Sequence, residues 1–279
     1  MNKLSIEKRA QVIVALCEGV SVNATVRMIG VAKNTVLKLL ADAGAASLKY
    51  QDKTLRNLNC ARIQCDEIWS FCYAKEKNVP EHLRNKFGFG NVWIWTAIDA
   101  DTKLVPCWFV GNRDAGAAYE LMTNLESRLA HRVQLTTDGL RAYLSAVEDT
   151  FGYRGIDYAM LVKLYGSDPN EAAAHRYSPP QCIGCESQKV FGNPDPTHIS
   201  TSYVERQNLS MRMGMRRFTR LTNAFSKNIE NHAHAVALYF MHYNFCRVHQ
   251  TLRVTPAMEA GIETHVWRPE EIAELADEK

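Results

Sequence analysis

The chain has 279 residues, 46% of them apolar, and 33 Lys plus Arg set against 30 Asp plus Glu leave a net charge of +3. That length and apolar content suffice for a packed core in one or two domains. No uncharged apolar run approaches the roughly 18 residues of a membrane span, and the charged opening MNKLSIEKRA lacks the apolar stretch of a signal peptide, so a cytoplasmic globular protein is expected. The eight Cys, at 17, 60, 65, 72, 107, 182, 185 and 246, are too scattered for a disulfide framework or for paired zinc knuckles and read as reduced thiols.

Charge is unevenly spread. Residues 1 to 60 carry nine basic and four acidic groups, and residues 205 to 267 carry eight and four. Between them, residues 61 to 204 carry fourteen basic and seventeen acidic groups, and the last twelve residues carry two and five. Basic blocks on either side of an acidic middle suit phosphate contacts at the flanks, and they suit solvated surface charge equally well.

Residues 1 to 45 read as helices. Ser5 caps a first helix that stops at Gly19, and a second runs from about Ser21 to Gly30. A third opens at Lys33, Asn34 and Thr35, with Val36, Leu37, Leu39 and Leu40 as its apolar stripe, and ends before Gly44. Helix, short helix, tight turn and helix suggest a helix-turn-helix that turns Lys33, Asn34, Thr35 and Lys38 toward base edges; an ordinary three-helix bundle with a solvated face is the other reading. Residues 46 to 60 show no period and read as a linker.

Strand patterns follow over Arg62 to Tyr73, Asn91 to Ala100 and Lys103 to Val110, with a hairpin turn at Asp99 to Thr102. An amphipathic helix spans Asp114 to Ala130, and a fourth strand runs from Arg132 to Thr137 and ends at Asp138. Another helix and a fifth strand at Tyr158 to Leu164 come next. Residues 165 to 200 hold five of the nine Pro and read as an irregular insertion. Helices are expected over Ser202 to Arg217 and Ser226 to Phe245, and the tail at 257 to 279 is short and acidic.

Three acids stand out. Asp66 interrupts an apolar and aromatic strand, where a lone carboxylate costs several kcal/mol to bury unless paired, protonated or bound to a cation. Asp138 closes the fourth strand, and also fits a plain Asp-Gly turn. Glu205 begins a helix beside Arg206 and Asn208, with Val204 and Leu209 marking its buried side, or lies on a solvated helix face. The order of elements resembles the ribonuclease H-like fold, an α/β mixed sheet flanked by helices. In that fold the first and fourth strands are neighbours, so Asp66 would face Asp138 while the later helix brings Glu205 across them. Three convergent carboxylates suit two magnesium ions acting on a phosphodiester.

The strings CDEIWSFCYAK, LTTDGLRAY, STSYVERQNLSMRM and HYNFCRVHQTL resemble the DDE transposases of bacterial insertion sequences, most closely the insertion-sequence-one type, over roughly residues 60 to 256. The resemblance implies that Asp66, Asp138 and Glu205 are the catalytic and metal-binding acids, with Mn2+ able to replace Mg2+. It implies cleavage at transposon ends, strand transfer into target DNA, a homo-oligomer on double-stranded DNA and association with the nucleoid. It favours Asp66 over the adjacent Glu67, since alternation sends only one toward a site. A repurposed DNA-binding protein and a ribonuclease H-like nuclease are the rival readings.

Arg206, Arg212, Arg216, Arg217 and Arg220 crowd the segment after Glu205 and suit a phosphate backbone, with Asn208 on nearly the face of Glu205. Cys182 and Cys185 form a single CxxC, with Cys60, Cys65, His175 or His198 as conceivable zinc partners.

Overall fold

The computed structural model describes residues 3–152, 155–166, 182–219 and 223–277. The N-terminal helices begin as the capping residues direct: Ser5 Oγ accepts from the Lys8 amide ahead of α1 (Ile6–Cys17), and Ser21 Oγ accepts from the Ala24 amide ahead of α2 (Val22–Ile29). Gly30 closes α2 in the left-handed region, which a residue without Cβ enters at no steric cost. The third helix, α3, spans Lys33–Thr54. It therefore neither ends before Gly44 nor gives way to a linker at residue 46. Gly44 lies inside α3 for a packing reason: a Cβ there would meet the carbonyl oxygen and Cβ of His234 at 2.5 and 2.6 Å. A glycine that permits helix crossing and one that stops a helix look alike in sequence.

The described strands form one six-stranded sheet in the order β3-β2-β1-β4-β5-β6. Here β1 is Arg62–Cys72, β2 Gly90–Asp99, β3 Cys107–Gly111, β4 Val133–Asp138, β5 Ile156–Tyr165 and β6 Cys182–Phe191. The first three strands pair antiparallel as a meander, β4 joins β1 in parallel, β5 joins β4 in parallel, and β6 returns antiparallel along β5. Residues 103 to 106, expected in the third strand, belong to the turn before it, where the Asp99 carboxylate accepts from the amide and hydroxyl of Thr102. The second half of the expected insertion is regular: β6 occupies it, mostly exposed, held by backbone pairing rather than by an apolar face that a pattern could reveal.

The helices α4 (Ala115–Glu126) and α5 (Ala142–Phe151) cover one face of the sheet, where Trp95 stacks edge-on against Tyr143, both fully buried. On the other face lies α6 (Ser202–Gly214), shorter than expected, and then α7 (Ile229–Met241), whose Phe240 ring meets Trp108. The helix α6 is seated by the sheet itself, because Gln64 Oε1 on β1 accepts from the Tyr203 and Val204 amides at 2.8 and 3.2 Å. Its buried residues are Val204, Gln207, Asn208 and Met211. Leu209, expected on the buried side, is 42% exposed. Five residues after Val204 is about 140° around a 3.6-residue helix, so the two cannot share a face. Two short helices, α8 (Pro256–Glu259) and α9 (Pro269–Leu275), end the fold; α9 docks on α1 through Arg9, which donates to the Ala273 carbonyl at 2.9 Å and pairs with Asp277. The described sheet and helices make a mixed α/β fold compatible with the ribonuclease H-like arrangement. Among the described residues no helix is long and apolar enough to cross a membrane.

Candidate functional site

The parallel ladder of β1 and β4 runs from Arg62 opposite Gln134 to Cys65 opposite Thr137, so its next rung would set Asp66 against Asp138. Asp138 is the last residue of β4, and its Oδ1 accepts from the Leu140 amide at 3.0 Å, so the turn reading of Asp138-Gly139 is also realised. One carboxylate oxygen from each of Asp66, Glu67 and Asp138 lies within 4.8 Å of the others. Glu67 is therefore in the cluster, against the expectation that alternation would turn it away. Alternation sets the direction of Cβ, not the reach of the carboxylate. Beside the end of β4, an acid from either face of β1 can arrive at the same place.

Each acid is held from its own side of the sheet. Asp66 Oδ1 accepts from the Glu67 amide at 2.9 Å, and its Oδ2 accepts from Asn208 Nδ2 of α6 at 2.8 Å. Glu67 Oε1 accepts from Arg113 at 2.7 Å (Nε) and 2.6 Å (Nη2), and its Oε2 accepts from the Tyr143 hydroxyl at 3.4 Å. Burial, and then the neighbouring Glu67 and Asp138 charges, push the Asp66 carboxyl up to about 7. Burial and the Asp138 charge push Glu67 up to about 7 against the pull of Arg113. Asp138 is also raised, chiefly by burial. Three acids made harder to ionise by burial, with neighbouring carboxylates adding to it, form a site that a divalent cation would relieve, since it supplies the charge they lack.

Two further observations fit such an ion. The Oδ1 of Asn208 and the hydroxyl of Thr96, which pairs with Asp66 across β1 and β2, are buried with no hydrogen-bond partner among the described residues. Both are hard oxygen donors beside the carboxylates.

Glu205 stands near enough to raise Asp66 and Asp138 but outside the close set of three. Its Oε2 is paired with Lys163 Nζ of β5 at 2.5 Å, and its Oε1 accepts from the Thr201 hydroxyl. Sequence reasoning missed Lys163, Arg113 and Tyr143, all far from the acids in the chain and brought to them by the sheet. Only Glu67 left a signal, as a second acid adjoining Asp66 in an apolar strand.

The residues proposed to meet DNA fall on two regions. Lys33, Asn34, Thr35 and Lys38 are exposed at the start of α3, Lys38 paired with Asp42. Arg206 and Arg216 are exposed on and just after α6, Arg212 is half-buried, and Asn208 is buried against Asp66. Arg220 and His175 lie outside the described residues. Cys182 and Cys185 are exposed on β6 with their sulfurs 4.0 Å apart, and among the described residues they join no group of three ligand side chains. Cys60 and Cys65 are buried, and His198 pairs with Asp195.

No family model matches the chain, and no curated protein does. Among solved structures, the crystal structure of the Mos1 strand transfer complex aligns with 87% of this chain and 78% of its own, at 12% sequence identity and a TM-score of 0.26. So loose a superposition does not establish a shared fold.

Proposed function

We propose that the chain is a DDE-type DNA transposase that cleaves and joins phosphodiesters with two magnesium ions, Mn2+ being able to replace them. The carrying observation is the gathering of Asp66, Glu67 and Asp138 within 4.8 Å of one another at the end of two neighbouring parallel strands. The sheet order agrees with a ribonuclease H-like core over residues 61 to 256, and the transposase-like strings of the sequence fall on the same elements.

In this reading Asp66 and Asp138 are the first two catalytic acids, with Glu67 beside them, and Glu205 is the third. Bound divalent cations would supply charge neutralisation for the acids and for the attacking and leaving oxygens of the phosphodiester. The chain's own groups do the positioning. Asn208 fixes the Asp66 carboxylate, Arg113 and Tyr143 fix Glu67, and Lys163 pairs with Glu205 at the side of the cluster. Arg206, Arg212 and Arg216 lie on or just after the helix that carries Asn208, where arginine forks suit phosphate oxygens. The N-terminal helices, with Lys33, Asn34, Thr35 and Lys38 outward, would recognise the transposon ends as a helix-turn-helix, and a homo-oligomer would pair two ends.

The test is Mg2+- or Mn2+-dependent nicking of DNA taken from either side of the coding sequence. The wild type should nick and join such DNA, and Asp138→Ala should lose about a hundredfold or more of the rate. Cutting without joined products would make the chain a nuclease. A gel shift with uncut DNA in both forms would make it a DNA-binding protein only.

A further inference from the structure

A cleft of about 390 Å3 separates the N-terminal helices from the segment that follows α6. Ser21, Lys33, Arg216, Arg217, Lys227 and Asn228 are among the residues that line it, and among the described residues the lining contains no Asp or Glu. Four cations around one opening repel one another unless an anion sits between them.

The backbone adds to this. Three helices begin at the wall of the cleft: α2 at its cap Ser21, α3 at Lys33 and α7 at its cap Asn228. Helix N-termini present free amides and partial positive charge. At α3 the cap is Ala32, which has no side-chain oxygen to take up the first amides.

The cations are not neutralised within the described fold. Arg217 Nη1 donates to the Ser226 hydroxyl at 2.7 Å and to the Asn231 carbonyl at 3.4 Å, both uncharged acceptors. Burial pushes its guanidinium down to about 10, with only the Cys72 thiol pulling the other way. Lys227 lies over the Phe225 ring at 3.5 Å. Lys33 and Arg216 are exposed at the rim.

We propose that this cleft seats a backbone phosphate of DNA, between the start of α3 and the turn after α6. The proposal rests on the DNA-processing reading and assigns it a place where substrate is held. Nucleic acid is favoured over a free anion by continuity. The rim residue Lys33 opens the exposed run Asn34, Thr35 and Lys38, and Arg216 follows the helix whose Asn208 touches Asp66. Six residues of helix carry α6 from Asn208 to its end at Gly214, about 9 Å or two to three nucleotides at the 3.4 Å rise of one strand, and Arg216 follows two residues on. One strand can therefore lie in the cleft and reach toward the acids.

The experiment uses the full chain in chelator, so that no metal takes part, with a short fluorescein-labelled duplex read by fluorescence anisotropy at several salt concentrations. The double substitution Lys33→Ala with Arg216→Ala removes two exposed side chains, and thermal melting checks that the fold persists. It should weaken binding about tenfold or more and lower the salt slope by about one, while Lys49→Ala, an exposed lysine on α3 that does not line the cleft, should leave both unchanged. Unchanged binding by the double variant overturns the proposal, as does an equal loss in Lys49→Ala. Stabilisation of the wild type by inorganic phosphate with no effect of the double variant on duplex binding also overturns it, because the cleft is then a small-anion site. Cleft-dependent binding by a protein that never nicks DNA in Mn2+ keeps this proposal and removes the catalytic one.

Discussion

Replacing Asp66 by Asn should stabilise the metal-free protein at neutral pH and leave it unchanged in acid. The Asp66 carboxyl sits at about 7 when folded, through burial and then through Glu67 and Asp138, against about 3.9 in an unfolded chain. Between those values the unfolded chain releases its proton while the folded one keeps it, so stability is lost as pH rises from about 4 to 7. Three pH units at about 1.4 kcal/mol each set an upper figure of about 4 kcal/mol. Glu67, also at about 7, shares the protonation, so relief of one partner should return about 2 kcal/mol. The substitution keeps the shape: the new Oδ1 can still accept from the Glu67 amide, and Asn208 can turn its unpartnered Oδ1 toward the new amide group. Urea unfolding in chelator at about pH 4, 6 and 7.5 measures the difference. The two proteins should coincide at the acid end, the variant should gain at the neutral end, and saturating Mn2+ should restore the advantage of the wild type. A difference independent of pH, or a wild type more stable than the variant in chelator at neutral pH, refutes the crowding of like charges.

Manganese titration by calorimetry should separate the four acids. Glu67→Gln should weaken binding by at least about tenfold, whereas Glu205→Gln, whose carboxylate is already paired with Lys163, should weaken it far less; the reverse order would remove Glu67 from the site. Gly44→Ala should lower stability by about 1 to 3 kcal/mol, because the added methyl meets the His234 backbone where α3 crosses α7, and a variant melting with the wild type would contradict that crossing.

Legibility in the sequence differs from element to element. Ser5, Ser21 and Gly30 mark helix ends through contacts within a few residues, and the apolar and aromatic residues of Arg62 to Cys72 mark β1 in the same local way. Asp66 is conspicuous because a carboxylate amid apolar neighbours needs a partner wherever the strand ends up. By contrast, β6 has no buried stripe, Gly44 serves a helix that lies far along the chain, and Leu209 has the composition of a core residue yet faces solvent on α6.

The amino-acid order by itself determined where α1 to α3 begin, where β1 and β4 run and which acids are costly to leave alone, since these depend on nearest neighbours and on transfer from water. The rest was decided only by tertiary structure: that Glu67 joins Asp66 and Asp138, that Lys163 takes Glu205, and that Lys33 and Arg216 share one cleft. Those outcomes come from strand order, register and helix crossings, which are set by hydrogen bonds and packing between residues distant in the chain. A local pattern records the direction in which a side chain leaves its own strand or helix, and carries no information on what stands opposite.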